Sequence, residues 1–281
     1  MTDTVVADAR PPRRLVDFQI TKQHRRFCEF ADAVRRHRYI GACYGAPGLG
    51  KTLSARTYAS AEDWEAWHTD RFIRGGVIPD SLLASRTLMY TPYVHITGRR
   101  LFLEVEDLAH MLSNDINTAL NPLRHPAIEP ENEDLPLRTE LVIIDEADRL
   151  KTTALEQLRD FFDRTDVGLI LIGMPGFDRQ LARYPQLYSR IGFAHQYRPL
   201  DAEDIPVVLR RYWQQLEHSY QPDNADHVEA VTAISTITGG NFRLIERLMT
   251  QIARVMTING LHRITPEVIH AARQMLVIGA Q

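Results

Sequence analysis

The sequence is short of cysteine, of lysine and of long apolar runs, and each shortage removes a class of function. Two cysteines, Cys28 and Cys43, in 281 residues are too few for a disulfide framework or a zinc cluster, and Cys43 falls in an apolar run that reads as a buried strand. No stretch approaches the roughly 18 consecutive apolar residues that span a bilayer, and the opening MTDTVVADARPPRR lacks the apolar core of a signal peptide. A cytoplasmic protein without membrane contact is expected. Excess positive charge is missing too: the net charge is −3, so any contact with a polyanion must be local. The 11 histidines show no ligand spacing near acids, and no Ser/His/Asp arrangement is suggested, which sets metal centres and triad hydrolysis aside. Lysine occurs only at positions 22, 51 and 151 against a large excess of arginine.

What is present fits a globular chain, with 44% apolar and 25% charged residues, enough for one large α/β core and a smaller appended domain. Residues 1–20 are polar and proline-containing and read as a mobile arm, whose Arg10, Arg13 and Arg14 are candidate contacts to DNA or a partner. Residues 21–37 carry a helical apolar stripe through Phe27, Phe30, Ala31 and Val34. The run 39–44 reads as a buried parallel strand, followed by a helix over 51–61; further strands are expected at 93–97, 141–145, 168–173 and 193–197. That alternation implies a parallel sheet with helices on both faces, extending over 21–199. Residues 121–140, with four prolines and a cluster of acids, read as an irregular surface excursion. After Pro199 the strands cease, and four helical stretches over 200–281 read as a small C-terminal helical lid domain. Trp64 and Trp67 read equally as a partner contact or as cover for the core.

Gly45-Ala46-Pro47-Gly48-Leu49-Gly50-Lys51-Thr52, continued by Leu53, fits G-x-x-x-x-G-K-[ST] between an expected strand and an expected helix. Its glycines let backbone N–H groups crowd around phosphates at a helix N-terminus. Lys51, one of the scarce lysines, neutralises β/γ-phosphate charge, and Thr52 offers its hydroxyl to Mg²⁺. ATP and Mg²⁺ are the cofactors inferred. In Leu141-Val-Ile-Ile-Asp145-Glu146 an apolar strand delivers two carboxylates at its carboxyl end, where ligands of open α/β sheets bind. Asp145 is assigned to Mg²⁺ and Glu146 to the attacking water; Asp148 reads instead as a cap of the next helix. Phosphoryl transfer needs more positive charge than one lysine supplies, and Arg183 and Arg190 are the candidates for an arginine offered to a neighbouring subunit, with Arg190 preferred. Arg243, in Gly239-Gly-Asn-Phe-Arg243, opens a helix from which it reports nucleotide state.

The order GAPGLGKT, LVIIDEADRL, LILIGMPGFDRQL, YPQLYSRIGF and GGNFRL resembles the AAA+ superfamily over residues 20–275. More narrowly, DEADRLK, the strand ending in IGMPGF and the GGNFRL motif look like the transposon-encoded regulators TniB and TnsC, related to the B protein of phage Mu. This resemblance implies an ATPase that self-associates into a ring or helical filament on duplex DNA, selects an insertion site and stimulates a transposase, with a further targeting protein as an additional partner. It makes Gly45, Gly50, Lys51 and Thr52 the Walker A residues, Asp145 and Glu146 the Walker B pair, Arg190 the finger and Arg243 the second sensor. In these regulators DNA is met on loops after the second strand, here Thr97, Arg99 and Arg100, through sequence-independent backbone contacts; Arg124 and His125 are weaker candidates. The chain departs from the superfamily at Gly173-Met174, where a polar first-sensor residue is common; slow hydrolysis, with ATP acting as an assembly signal, is the expected consequence. The competing readings are a nucleotide-gated signalling scaffold that never grips DNA, and a helicase or clamp loader.

Overall fold

The computed structural model describes residues 18–74, 77–121, 136–216, 221 and 223–276, and these form two compact units. The expected N-terminal arm, with Arg10, Arg13 and Arg14, and most of the expected excursion, with Arg124 and His125, lie outside the described residues.

One unit spans Lys22–Arg198. Along the chain run α1 (Lys22–His37), β1 (Ile40–Tyr44), α2 (Lys51–Tyr58), α3 (Ala61–Arg74), α4 (Asp80–Ser85), β2 (Thr87–Tyr90), α5 (Gly98–Leu120) and β3 (Leu141–Ile144). There follow α6 (Thr152–Arg164), β4 (Gly168–Gly173), α7 (Phe177–Leu181), α8 (Pro185–Tyr188) and β5 (Ile191–Gln196), with a 3₁₀ turn at Ala147–Arg149. The five strands are parallel in the order β2-β3-β4-β1-β5. Parallel neighbours require crossovers, and the helices therefore cover both faces of the sheet.

Strand residues alternate between two cores. Ile40, Ala42, Val142, Ile144, Leu169 and Leu171 pack with Leu101 and Val105 of α5 and Leu155 and Leu158 of α6. Cys43, Leu141, Ile143, Ile170 and Ile172 pack on the other face with Phe27, Phe30 and Val34 of α1 and Ala55 of α2. Gly41 permits the second arrangement, because a Cβ there would lie 2.5 Å from Val34 and 2.7 Å from Phe30. Each fully buried Leu or Ile contributes about 1.5–3 kcal/mol relative to an exposed one, so these two layers hold the strand ends in place.

Three expectations are corrected. The second strand is not 93–97 but Thr87–Tyr90, paired in register with Leu141–Ile144. Pro92, which has no N–H to donate, stops the ladder, and 93–97 becomes the loop leading into α5. The helix begun at Lys51 ends at Tyr58, where Ser60 takes a φ of 52° and redirects the chain into α3. Asp148 does not cap α6: it sits in the 3₁₀ turn, and Lys151 holds the cap position without a side-chain cap bond.

Trp64 is buried in the core, and the half-buried Trp67 donates its Nε1–H to Asp115 at 2.8 Å. The end of the excursion is not free surface either. Thr139 is buried, and Ser113 Oγ accepts from the N–H groups of Arg138 and Thr139, both at 2.9 Å, guiding the chain into β3.

Pro199 onward belongs to the second unit, together with the segment ending at Thr21. It contains α9 (Asp204–Gln215), α10 (Ala225–Thr238), α11 (Phe242–Asn259) and α12 (Pro266–Gln274). Asn224, Asn241 and Thr265 accept the cap bonds of α10, α11 and α12, and Gly239 and Gly260 end α10 and α11 in the left-handed conformation. Trp213, Tyr212, Leu248 and Ile252 form its core. Among the described residues, no helix is long and apolar enough to cross a membrane.

Candidate nucleotide site

The loop from Gly45 to Gly50 joins the carboxyl end of β1 to the first turn of α2. Its glycines are required by geometry. A Cβ on Gly45 would lie 2.4 Å from the carbonyl oxygen of Tyr197, and Gly48 and Gly50 have φ of 79° and 110°, a region that side chains disfavour. Leu49 is buried and anchors the loop, whereas Pro47 is exposed. Lys51 is only 8% exposed, and its Nζ donates to the carbonyls of Gly45 at 2.6 Å and Ala46 at 2.9 Å. The ammonium is thereby delivered inside the curl of the loop.

Asp145 follows β3 directly and is 3% exposed. Its N–H donates to the Tyr90 carbonyl at 2.9 Å, its Oδ1 accepts from the Glu146 N–H at 2.9 Å, and its Oδ2 accepts from Thr52 Oγ1 at 2.7 Å. The last bond joins the two motifs, 93 residues apart in sequence. A hydroxyl beside a carboxylate is a pair of hard oxygen donors, the type Mg²⁺ takes while keeping several waters. Glu146 has a φ of 51°, and its half-exposed carboxylate is paired with Arg149. Cys43, beneath this site, has its thiol pushed up to about 12, chiefly by burial, with Lys51 opposing and Asp145 adding to the shift. It is therefore an uncharged packing group.

Arg190 precedes β5 and grips Asp163 of α6 with two hydrogen bonds, Nε to Oδ1 at 2.5 Å and Nη2 to Oδ2 at 2.8 Å. Hydrogen bonding from Arg190 holds Asp163 below the usual carboxylate range against the opposing effect of burial, and Arg159 adds to the lowering. Arg183 is exposed, and its side chain has no hydrogen-bonded or ionic partner among the described residues. Gly173 ends β4 where a Cβ would lie 2.5 Å from the ring of Phe177, and Met174 is exposed, so no polar side chain is offered there. Arg243 is exposed in the first turn of α11, in the other unit.

Thr97 caps α5, its hydroxyl accepting from the Arg100 N–H at 3.3 Å. Arg100 is drawn to its own helix: Nε donates to Glu104 at 2.6 Å, and the guanidinium lies 5.7 Å from the centre of the Tyr93 ring. Arg99 is exposed and, among the described residues, without such a partner.

One group escaped the sequence reading. Tyr197, 4% exposed, donates its N–H to the Tyr44 carbonyl at 2.8 Å, and its hydroxyl lies 2.8 Å from Ser54 Oγ. Ser54 in turn lies 3.1 Å from Nδ1 of His24 on α1. Tyr197 thus packs against Gly45 and Gly50 and, through Ser54, ties the loop and its helix to β5. The only sequence signal was the position of Tyr197 at the end of an expected strand; nothing local announces a contact with a loop some 150 residues earlier.

A family model described as AAA domain matches residues 34–181. A Staphylococcus aureus protein described as a potential ATP-binding protein is 40% identical over 270 residues, covering 94% of this chain and 97% of that protein. Among solved structures, the Thermotoga maritima RuvB Holliday junction branch migration motor is similar with a TM-score of 0.55 and 17% identity, over 91% of this chain and 69% of RuvB. The Aeropyrum pernix ORC1 protein in complex with DNA gives 0.54 and 17%, over 94% of this chain and 67% of ORC1. At such identities the likeness to RuvB and ORC1 is one of fold.

Proposed function

This chain belongs to the AAA domain family, and from that premise we propose that it is an ATP-hydrolysing regulator of DNA transposition, which assembles on duplex DNA, selects the insertion site and activates a transposase. The bond between Thr52 and Asp145 carries the nucleotide part of this reading, because it brings a P-loop hydroxyl and a strand-end carboxylate to one point beside Lys51. The loop amides and Lys51 bind the phosphates. Thr52 and Asp145 are the residues that would hold Mg²⁺, which would supply neutralisation of phosphate charge. Glu146 orients the attacking water and takes its proton, exchanging Arg149 for that water. Arg190 serves the nucleotide of a neighbouring copy and gives up Asp163 to do so; Arg243 reports on nucleotide from the helical unit. The absence of a polar side chain at Gly173-Met174 supports slow turnover, below the enzyme median of about 10 per second, with ATP acting as an assembly signal.

Duplex DNA as a partner is supported by the presence of RuvB and DNA-complexed ORC1 among proteins of like fold. The transposase, the targeting partner and the choice of site rest on the motif resemblance to TniB and TnsC. Electron microscopy with ATP, Mg²⁺ and linear duplex DNA tests the proposal. Rings or filaments threaded on DNA are expected, and assemblies that form equally without DNA would move the protein to the scaffold class.

A further inference from the structure

Among the exposed cations of the Lys22–Arg198 unit whose side chains have no ionic or hydrogen-bonded partner among the described residues, Arg99, Lys151, Arg179 and Arg183 form one group, and Arg25, Arg26, Arg36 and Arg198 lie elsewhere in the chain. The four of the first group are scattered in sequence but sit on elements that follow β2, β3 and β4, at the carboxyl edge of the sheet. Contacts between these elements bring them together. Gly98, beside Arg99, abuts α6 so closely that a Cβ would lie 2.8 Å from the Thr153 carbonyl oxygen. Lys151 holds the cap position of α6, and the next residue, Thr152, donates its hydroxyl to the Tyr184 hydroxyl at 2.9 Å. Tyr184 lines one open depression together with Gly176, Arg179, Gln180 and Arg183. Gln180 closes the circuit through Nε2 to the Asp148 carbonyl at 3.5 Å.

Charge on this edge is unevenly arranged. Arg100 and Arg149 are neutralised locally by Glu104 and Glu146. Asp148 and Asp178 are half-buried, while the four unpaired cations are exposed. Exposed cations without fixed partners keep their charge for exchangeable counterions, which is the arrangement a polyanion rewards by counterion release. Neutral side chains of the same surface, the amide of Gln180 and the hydroxyl of Tyr184, are donors of the kind that bond phosphate oxygens.

We infer that the phosphate backbone of duplex DNA is held along this edge by Lys151, Arg179 and Arg183 together with Arg99, a surface much wider than the loop after β2. The inference rests on the DNA-binding reading above and gives it an extent and a charge. Four phosphate contacts per copy predict a salt slope, log K against log[salt], of about −3.6 per copy from counterion release alone.

Duplex retention of the full chain with ATP and Mg²⁺ is measured between 50 and 300 mM salt, for the parent and for Lys151→Ala combined with Arg179→Ala. The double variant is expected to flatten the slope by about 2 and to bind on the order of fiftyfold more weakly at 100 mM salt, without a change in sequence preference. Lys151→Arg with Arg179→Lys restores the slope, which separates charge from folding. Arg164→Ala, at the opposite end of α6, leaves it unchanged. If the parent retains DNA and the double variant keeps the parent slope, this surface is wrong while the DNA-binding reading stands. If the parent retains no DNA, both fall. If the double variant loses ATP turnover with DNA retention intact, the cations serve the nucleotide of a neighbouring copy and the inference is overturned.

Discussion

The loop after β1 and the edge formed after β2, β3 and β4 both face phosphate chemistry in this account, yet they are built in opposite ways. In the first, Lys51 and Asp145 are almost fully buried, Gly45 is pressed against a backbone carbonyl, and both Asp145 oxygens accept hydrogen bonds. In the second, Arg99, Lys151, Arg179 and Arg183 stand in solvent, and Tyr93 nearby is 68% exposed. A triphosphate is small and must be met by groups fixed before it arrives, so the lysine and aspartate of the site are buried and interlocked. A polymer backbone presents charge over many ångströms, and mobile exposed cations with exchangeable counterions suit it. Burial, more than the number of charges, separates the two tasks.

Breaking the buried site at its most specific atom has the largest expected effect. Glu146→Gln keeps shape and loses the proton acceptor, so steady-state ATP turnover should fall by about 10²-fold or more, measured as phosphate release at saturating nucleotide. A fall below about threefold would remove Glu146 from the role given to it here.

Packing supplies the next contrast. Gly45→Ala drives a Cβ into the Tyr197 carbonyl at 2.4 Å, and neither backbone can yield cheaply. A loss of about 1–3 kcal/mol in unfolding free energy is expected, together with loss of nucleotide uptake. Gly176→Ala, on the exposed edge, meets only the flexible end of Arg179 at 3.3 Å. It should cost about 1 kcal/mol, from its left-handed backbone alone. Equal costs in denaturant titrations would mean that the loop after β1 is no more constrained than the edge.

The smallest effect concerns pH. His195 on β5 stacks against Phe30, with ring centres 5.4 Å apart, and its pKa is lowered to about 4 by burial and then by Arg26. The ordinary histidine value is 6.5, so between about pH 6.5 and 4 the unfolded chain binds the proton and the folded chain does not. Stability is therefore full above pH 6.5 and falls as the pH drops through that window. His24, lowered by burial and then by Arg25, acts in the same direction. His195→Phe should reduce the drop in Tm between pH 7 and pH 5 and leave the exposed edge unaffected. An unchanged drop would show that His195 is not the titrating group.

The same contrast explains what was legible in the sequence. The nucleotide loop and the acid pair depend on local chemistry: glycines at fixed offsets, a lysine, and apolar runs that end in carboxylates. Gly45–Thr52 and Asp145-Glu146 therefore stand where the sequence placed them, at the ends of β1 and β3. The second strand was misplaced because Tyr93 to Thr97 offers β-favouring residues, while Thr87–Tyr90 is defined by its pairing with β3, a non-local fact. Pro92, which cannot donate to a ladder, is the local signal against a strand at 93–97. The Tyr197–Ser54–His24 chain and the gathering of Lys151 with Arg179 and Arg183 were equally out of reach, since both arise from crossovers that bring distant segments to one end of the sheet.

Direct titration of the purified chain with ATP and Mg²⁺, beside Lys51→Ala, tests the account at its centre. Saturable uptake of one nucleotide per chain is predicted for the parent, weakened about 10–100-fold when the buried ammonium is removed. No uptake by the parent at millimolar ATP, or equal uptake by both proteins, would contradict the assignment of this loop as the nucleotide site.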